Sequence, residues 1–376
     1  MHSVGELNPS QRILLGPGPS NVHPRVYKAL STPIVGHLDP EFLKIMDEIQ
    51  ELLRFVFQTK NSFTIAVSGT GSAGMEAALV NVIEPGDTVI VGVNGVFGNR
   101  MCEIVTRCGG KLIQIKEAWG RVTDPQRVEN ELKKSGKVKA VVLVQAETST
   151  GVLQPLEEIG SLCKQFGALF IVDTVASLGG VPVKVDDWSI DVCYSGAQKC
   201  LSCPPGLAPI TFSERAMKLI RNRKTKIQSW YLDMTLIADY WAEGKRVYHH
   251  TAPISMNFAL REALRLVQEE GLKARFDRHM RNSSALIKGM QKLELQPFVD
   301  EGFRLATLNS LKVPMEVDEA KVRQLLLNEY NIEIGGGLGD LKGKIWRVGL
   351  MGESSSKANV VYLLAALEEI LSECRS

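Results

Sequence analysis

Between about residue 60 and residue 195, short apolar runs rich in β-branched residues alternate with longer helical patterns. The runs are 63–67 (FTIAV), 88–93 (TVIVGV), 111–116 (KLIQIK), 140–146 (AVVLVQA) and 168–173 (ALFIVD). The last two are nearly continuous in apolar residues, so both faces of these strands should be buried, as in a parallel sheet with helices on both sides. The pattern predicts an α/β fold whose large domain has a mostly parallel central sheet.

The second half of the chain has a different pattern. A long helical stretch ends at Gly271, and a second one covers 272–293. Strand candidates then follow at 305–314 and 344–351. We therefore expect three parts, which are an N-terminal arm (1–18), a large domain (19–270) and a smaller C-terminal α+β domain (271–376).

Composition limits the partners and the compartment. The 376 residues include 44 Lys and Arg against 42 Asp and Glu, a net charge of +2, which gives no reason to expect nucleic acid or a membrane surface as a partner. No apolar run approaches the ~20 residues that span a bilayer. The N-terminus shows no signal or transit pattern, and the seven cysteines follow no extracellular spacing, so we expect a cytoplasmic protein. Cys200 and Cys203 form a C-x-x-C without a second ligand pair, so no metal site is predicted.

Residues 69–74 (Gly-Thr-Gly-Ser-Ala-Gly) match G-x-G-x-x-G between a strand and a helix. Such a turn can bind a dinucleotide, serve as a structural glycine turn, or bind a single phosphate at the helix N-terminus. A dinucleotide site needs an acidic residue about 20 positions later. The next strand instead ends at Val93-Asn94-Gly95, with no carboxylate, so a monophosphate site is favoured.

Asp173 ends a buried strand, and Lys199 follows 26 residues later, beside Gln198 and after the strand DVCYSG. An amine and a carboxylate at adjacent strand ends, facing a phosphate-binding turn, match the needs of pyridoxal phosphate. The lysine forms the Schiff base, and the carboxylate keeps the pyridine nitrogen protonated. Each residue alone is a weak indication, but together with the glycine turn they predict a pyridoxal phosphate enzyme.

Several segments together resemble the class V aminotransferases of fold type I, most closely the alanine–glyoxylate and serine–pyruvate group. The resemblance covers nearly the whole chain. The segments are 14–22 (LLGPGPSNV), 68–81 (SGTGSAGMEAALVN), 94–100 (NGVFGNR), 147–156 (ETSTGVLQPL), 171–180 (IVDTVASLGG), 195–206 (SGAQKCLSCPPG), 248–251 (YHHT), 336–339 (GGLG) and 346–352 (WRVGLMG). The resemblance implies a homodimer whose active sites use residues of both chains.

The resemblance also implies a set of cofactor-binding residues. Lys199 matches the Schiff-base lysine and proton carrier, and Asp173 matches the partner of the ring nitrogen. The remaining matches contact the ring faces, the phenolic oxygen or the phosphate, namely Phe97 and Val175 on the two faces, Thr148 near the phenolic oxygen, and Thr70, Gly71, Ser72 and Gln198 at the phosphate. Tyr248 and Thr251 resemble residues that reach the phosphate of the partner subunit's cofactor.

Three residues are expected at the substrate. Arg347 matches the arginine that binds the substrate carboxylate through two parallel hydrogen bonds. The loop 16–21 is expected to lie over the substrate, where Ser20 and Asn21 would contact it. The activity implied is transfer of an amino group from alanine or serine to glyoxylate or pyruvate by a ping-pong mechanism.

Two other activities of the same family stay open, transamination of ureidoglycine with glyoxylate and of hydroxykynurenine. The animal alanine–glyoxylate enzymes have Trp at the position of Phe97 and His at the position of Ser72, so the amino donor is not fixed by the resemblance. The ureidoglycine branch has Gln and Asn where this chain has His37 and Tyr248, which favours the ordinary amino-acid branch. A cysteine desulfurase is disfavoured, because the only cysteine after Cys203 is Cys374.

Overall fold

The computed structural model of the protein describes residues 4–242 and 246–375. Its strands, in chain order, are β1 (Ile13–Leu14), β2 (Phe63–Ser68), β3 (Thr88–Val93), β4 (Lys111–Lys116), β5 (Ala140–Val144), β6 (Ala146–Glu147), β7 (Val152–Leu153), β8 (Leu169–Asp173), β9 (Val192–Tyr194), β10 (Leu207–Phe212), β11 (Leu308–Lys312), β12 (Ile332–Glu333), β13 (Gly335–Gly336) and β14 (Ile345–Gly349).

The helices lie between and after these strands. They are α1 (Pro24–Leu30), α2 (Pro40–Phe57), α3 (Gly71–Val82), α4 (Val96–Arg107), α5 (Pro125–Lys134), α6 (Glu157–Phe166), α7 (Glu214–Arg221), α8 (Met234–Trp241), α9 (Ile254–Glu270), α10 (Leu272–Lys292), α11 (Glu319–Glu329) and α12 (Lys357–Arg375), with short 3₁₀ turns at Glu301–Phe303, Gly339–Leu341 and Gly352–Ser354. In the described ranges, no helix is long and apolar enough to cross a membrane.

A seven-stranded sheet forms the centre of the larger part, in the order β2-β10-β9-β8-β5-β3-β4. The strands from β9 through β8, β5 and β3 to β4 pair in parallel, whereas β10 runs antiparallel to both of its neighbours. Strands β5 and β8 are buried along their whole length. The predicted α/β fold with a mostly parallel central sheet is confirmed, and β10 is the reversed strand that the apolar pattern did not single out.

The apolar runs locate most of the parallel strands. The runs at 88–93 and 111–116 are β3 and β4 without change. The run at 140–146 divides at Gln145, whose backbone N–H donates a 2.9 Å hydrogen bond to the carbonyl oxygen of Asp173. The chain leaves the sheet there, so that the segment after β5 passes over its carboxyl edge.

Apolar residues form two large clusters. The first surrounds the central sheet and includes helices α2, α3 and α9. The second lies between the three-stranded sheet β11-β14-β13 and the helices α10, α11 and α12. Leu15 belongs to this second cluster, and β1 pairs in parallel with β12. The predicted N-terminal arm therefore packs on the C-terminal part, while the domain boundaries at 18 and 270 stay a prediction.

Candidate active site

The site lies where parallel strands end, at the carboxyl edge of the central sheet, as is usual for ligand sites of open α/β sheets. A cavity of about 170 Å³ opens there. Nine of the predicted cofactor-binding residues line it, together with three unpredicted ones, and the full lining is Thr70, Gly71, Ser72, Met75, Phe97, Arg100, Ala146, Thr148, Asp173, Val175, Gln198 and Lys199.

The glycine turn leads into the N-terminus of α3. Thr70 is the N-cap, but its side chain makes no capping hydrogen bond, and Gly71 and Ser72 of the first turn line the cavity. A Cβ added to Gly71 would lie 3.0 Å from Cγ2 of Val175, so the backbone approaches the opposite wall closely. Such a helix N-terminus favours an anion, because its N–H groups and its dipole both attract negative charge.

Gln198 lines the same cavity. Its Oε1 is buried and has no hydrogen-bond partner among the described residues. An amide oxygen only accepts hydrogen bonds, whereas the amide NH2 group donates them. The NH2 group of Gln198 is therefore the part of this side chain that can bind a phosphate oxygen.

Asp173 ends strand β8 and is buried. Its carboxylate accepts two hydrogen bonds of 2.8 Å, one from the backbone N–H of Val175 and one from the hydroxyl of Tyr194. Burial raises the pKa of Asp173 to about 7, although both hydrogen bonds act against that rise. A cation placed in the cavity would restore the ionised carboxylate, which is the relation expected for a protonated ring nitrogen.

Lys199 follows β9, and its side chain reaches into the same cavity. Its Nζ donates a hydrogen bond to the carbonyl oxygen of Pro17 in the loop that covers the site. Burial, chiefly, lowers the pKa of Lys199 to about 8, and the charge of Arg347 acts in the same direction. A larger fraction of neutral amine is therefore present near neutral pH than for an exposed lysine, which favours nucleophilic and proton-transfer chemistry.

Gly18 makes the close approach of this loop possible. Its φ is +106°, a region that favours glycine, and an added Cβ would lie 2.4 Å from Nζ of Lys199. The loop 16–19 therefore closes directly over the lysine amine.

Arg347 lies in β14 and is only 6% exposed. Its Nε donates to the carbonyl oxygen of Gly336 at 2.7 Å, and its Nη1 donates to that of Thr148 at 2.9 Å. Burial lowers the pKa of Arg347 to about 10, which the nearby carboxylate of Glu147 opposes. The guanidinium is thus held by backbone carbonyls of two different segments, in a fixed orientation.

The side chains of Ser20 and Asn21 make hydrogen bonds within the protein. The hydroxyl of Ser20 donates to the carbonyl oxygen of Lys199 at 2.7 Å and lies 3.1 Å from Oγ of Ser202. The amide of Asn21 accepts from the N–H of Leu14 at 2.9 Å and donates to the carbonyl oxygen of Arg12 at 3.0 Å. Both side chains hold the loop in place, and their predicted contact with substrate stays a prediction.

Tyr248 and Thr251 lie outside the cavity of their own chain, and both are exposed. Their hydroxyl oxygens are 3.5 Å apart. The ring of Tyr248 also lies 5.1 Å from that of His37. The structure therefore brings these residues together, away from the cavity formed by the other predicted residues.

Comparison with known proteins agrees with this geometry. The family described as aminotransferase class V matches residues 23–340. An alanine–glyoxylate aminotransferase of Drosophila melanogaster is 42% identical, over 96% of this chain and 92% of its own length. This chain is a class V aminotransferase.

Solved structures of this family superpose closely on the chain. An alanine–glyoxylate aminotransferase from Nostoc sp. is 50% identical with a TM-score of 0.96 and covers 98% of each chain. A ureidoglycine–glyoxylate aminotransferase from Bacillus subtilis is 44% identical with a TM-score of 0.97, over 99% of this chain and 96% of its own. Membership of the class V aminotransferases implies pyridoxal phosphate as the cofactor.

Two buried residues that contact the lining of the cavity lay outside the sequence-based prediction. Tyr194 ends β9 and pairs with Asp173 in register, so its position at a strand end was the available indication. Glu147 is completely buried next to Thr148, and nothing in the sequence distinguished it from an ordinary turn residue. Cys200 and Cys203 are buried free thiols, and among the residues that the structure describes no group of His, Cys, Asp or Glu side chains could hold a metal ion.

Proposed function

We propose that this aminotransferase moves an amino group from alanine or serine to glyoxylate or pyruvate, in two half-reactions of a ping-pong mechanism. The observation that carries the proposal is a single cavity that joins the amine of Lys199, the carboxylate of Asp173 and the free N-terminus of α3. These are the three groups that pyridoxal phosphate and its chemistry require.

The residues of the cavity fit the cofactor. Gly71 and the α3 N-terminus, with the side-chain NH2 group of Gln198, would hold the phosphate. Phe97 and Val175 would contact the two faces of the ring, and Asp173 would pair with its nitrogen. Bound there, pyridoxal phosphate supplies an electron sink that stabilises negative charge at the substrate Cα.

Lys199 and Arg347 would act on the substrate. The amine of Lys199, with its lowered pKa of about 8, can accept the proton from the substrate Cα and would pass it to C4′ of the cofactor, and in the second half-reaction it would move a proton in the reverse direction. Arg347 is held by two backbone carbonyls and would bind the α-carboxylate, which orients the Cα–H bond toward that amine. Because every amino acid and oxo acid has this carboxylate, Arg347 serves both half-reactions.

Ureidoglycine is the second candidate for the amino donor, because the Bacillus subtilis relative named a ureidoglycine–glyoxylate transaminase is 44% identical. The pair of His37 and Tyr248, whose ring centroids are 5.1 Å apart, supports the ordinary amino-acid branch instead, since the ureidoglycine branch has Gln and Asn there.

We also propose a homodimer in which Tyr248 and Thr251 reach the phosphate of the partner's cofactor. Both residues are exposed, and neither lines the cavity of its own chain. Other exposed apolar side chains lie nearby in sequence, namely Trp230, Tyr231 and Val247, and an exposed apolar group of this kind supports an interface. The free, buried thiols support a reducing, cytoplasmic compartment.

A panel of amino donors tests the proposed function. The purified holoenzyme is given alanine, serine, ureidoglycine or hydroxykynurenine, each with glyoxylate and then with pyruvate, and donor loss and product formation are measured. We expect alanine and serine to be the best donors. A better rate with hydroxykynurenine or ureidoglycine would assign the chain to that branch. Near-normal transamination by soluble Lys199→Ala would overturn the whole mechanism.

A further inference from the structure

Glu147 is a completely buried carboxylate that the proposed chemistry does not use. Its Oε1 accepts hydrogen bonds from the backbone N–H of Ser149 at 3.1 Å and from the hydroxyl of Ser149 at 2.5 Å. Its Oε2 accepts from the N–H groups of Phe97 at 3.1 Å and Gly98 at 3.4 Å. All four partners are donors, which is the environment of an ionised carboxylate.

Burial, in contrast, disfavours the ionised form of Glu147 and raises its pKa. The hydrogen bonds from Ser149, Gly98 and Phe97 oppose that rise. A buried carboxylate costs several kcal/mol unless it is fully satisfied. The contacts of the Glu147 carboxylate must therefore offset this cost in free energy.

The contacts of Glu147 lie at the N-terminus of helix α4. Helix α4 begins at Val96, and its N-cap is Gly95, which has no side chain to cap the helix. The N–H of Val96 donates to the hydroxyl of Ser149 at 3.0 Å, so Glu147 and Ser149 together satisfy the first three N–H groups of α4. This cap comes from a distant part of the chain, and negative charge at a helix N-terminus is stabilising.

The capped end of α4 bears Phe97, which lines the cofactor cavity. The segment that supplies the cap also contains Thr148, which lines the same cavity. The carbonyl oxygen of Thr148 accepts a hydrogen bond from Nη1 of Arg347. Burial lowers the pKa of Arg347, and the charge of the Glu147 carboxylate opposes part of that lowering. Glu147 thus bonds Phe97 directly, and its neighbour Thr148 bonds Arg347.

We propose that Glu147 is a positioning residue, which caps α4 and thereby fixes Phe97 against the cofactor ring and Thr148 and Arg347 against the substrate. The inference rests on the proposed function, because it concerns the same cavity. It adds a residue that touches neither cofactor nor substrate and acts through two residues that do.

Glycine at position 95 is part of the same arrangement. A Cβ added there would lie 2.4 Å from Cγ and Cδ of Glu147 and from Oγ of Ser149. The backbone at Gly95 is extended, with φ of 176°, so alanine would be disfavoured only by this overlap. Gly95→Ala therefore displaces the carboxylate without removing it.

The test compares Glu147→Gln with Asp191→Asn. Asp191 is a second buried carboxylate, which accepts from the N–H of Phe170 at 2.9 Å, the hydroxyl of Ser213 at 2.8 Å and the guanidinium of Arg215, and it does not line the cavity. Both variants remove one buried charge, and both should lower the melting temperature. A neutral amide cannot accept all the hydrogen bonds that either carboxylate accepts. Only Glu147→Gln should affect the site, because Glu147 accepts from Phe97, which lines the cavity, whereas none of the partners of Asp191 does.

The readouts are the rate at which each holoenzyme loses pyridoxal phosphate on dilution, followed by its visible absorbance, and the KM for donor and acceptor. For Glu147→Gln we expect cofactor loss about tenfold faster and both KM values about tenfold higher, the size of losing a hydrogen bond to a charged group. Asp191→Asn should keep wild-type values for all three. Equal values in the two variants would overturn the inference.

Two further variants keep the inference testable if Glu147→Gln does not fold. Ser149→Ala removes one donor and the acceptor for Val96, and Gly95→Ala displaces the carboxylate, so both should show the same combined effect in weaker form. Gly302→Ala is the matched control, since an added Cβ there meets nothing within 4 Å. If Ser149→Ala and Gly95→Ala lose pyridoxal phosphate at the wild-type rate and keep both wild-type KM values, this inference alone is overturned. If the wild-type protein itself binds no pyridoxal phosphate, the proposed function is overturned.

Discussion

The hydroxyl of Tyr194 donates a 2.8 Å hydrogen bond to Oδ2 of Asp173, and the two residues are register partners at the ends of β9 and β8. Asp173 has its second oxygen bonded to the N–H of Val175, so the carboxylate is fixed in one orientation. The parallel pairing of two strands therefore determines how the carboxylate faces the cavity.

Replacing Tyr194 by Phe tests this relation. The ring would still fill the core, but the buried carboxylate would lose one donor, and the pKa of Asp173 would rise further. We expect about a tenfold weaker affinity for pyridoxal phosphate, because a hydrogen bond to a charged group contributes about 1.5–3 kcal/mol. Titration of the apoprotein with cofactor measures it, and Tyr362→Phe, an exposed tyrosine of α12, is the control. Equal affinities would show that the hydrogen bond plays no part in cofactor binding.

Asp173→Asn should have a larger effect than Tyr194→Phe. A neutral amide cannot balance the charge of a protonated ring nitrogen. We expect at least about a hundredfold loss of kcat and a much weaker cofactor, since removing one partner of a buried ion pair costs about 3–5 kcal/mol. Steady-state kinetics at saturating cofactor separate the two effects. Activity within a few-fold of wild type would contradict the pairing of Asp173 with the ring nitrogen.

Local patterns predicted the fold, the glycine turn, Asp173 and Lys199. Apolar runs mark β3 and β4, Asp173 ends a strand and Lys199 follows one. The other predicted residues that line the cavity were inferred from the family resemblance. Tyr194 and Glu147 were missed for a physical reason. Their roles depend on hydrogen bonds to residues tens of positions away, and no local pattern encodes which buried side chain meets which backbone N–H.

Ser20 shows what a motif leaves open. The motif around Ser20 predicts a contact with substrate, and in the structure its hydroxyl donates to the carbonyl oxygen of Lys199 and the residue is buried. The contact with substrate stays a prediction, because a motif identifies the segment at a site and does not encode which of its side chains face the ligand.

Arg347→Lys should weaken all substrates alike. The guanidinium can give two parallel hydrogen bonds to a carboxylate, whereas an ammonium acts as a point charge. We expect kcat/KM to fall by an amount equivalent to roughly 2–4 kcal/mol for both donor and acceptor. The cofactor absorbance should be unchanged, because Arg347 does not line the cofactor cavity. The exposed Arg127→Lys is the control, and a loss confined to one substrate would argue against a carboxylate-binding role.

Gly18→Ala tests the loop over the lysine. An added Cβ would lie 2.4 Å from Nζ of Lys199, in a backbone region that L residues rarely adopt. We expect a strong loss of cofactor uptake, of at least about tenfold, since the loop must move away from the amine. Gly16→Ala is a matched control in the same loop, because its nearest contact would be an ordinary 3.6 Å to Glu333. Equal uptake by the two variants would show that the loop does not restrict the amine.

The stability of the apoprotein should depend on pH through Lys199. Its pKa falls from 10.5 to about 8 on folding, chiefly because of burial. The folded state therefore binds fewer protons, and this group's contribution to stability rises with pH between about 8 and 10.5. Below that window the full cost of burying a charged amine remains, on the order of 3 kcal/mol.

Lys199→Met removes this cost, so the variant should be more stable than wild type near neutral pH, and the difference should shrink as the pH rises through the window. Urea unfolding of both apoproteins at several pH values measures the difference, with the exposed Lys137→Met as control. A stability difference that does not change with pH would mean that the amine keeps an ordinary pKa in the folded protein.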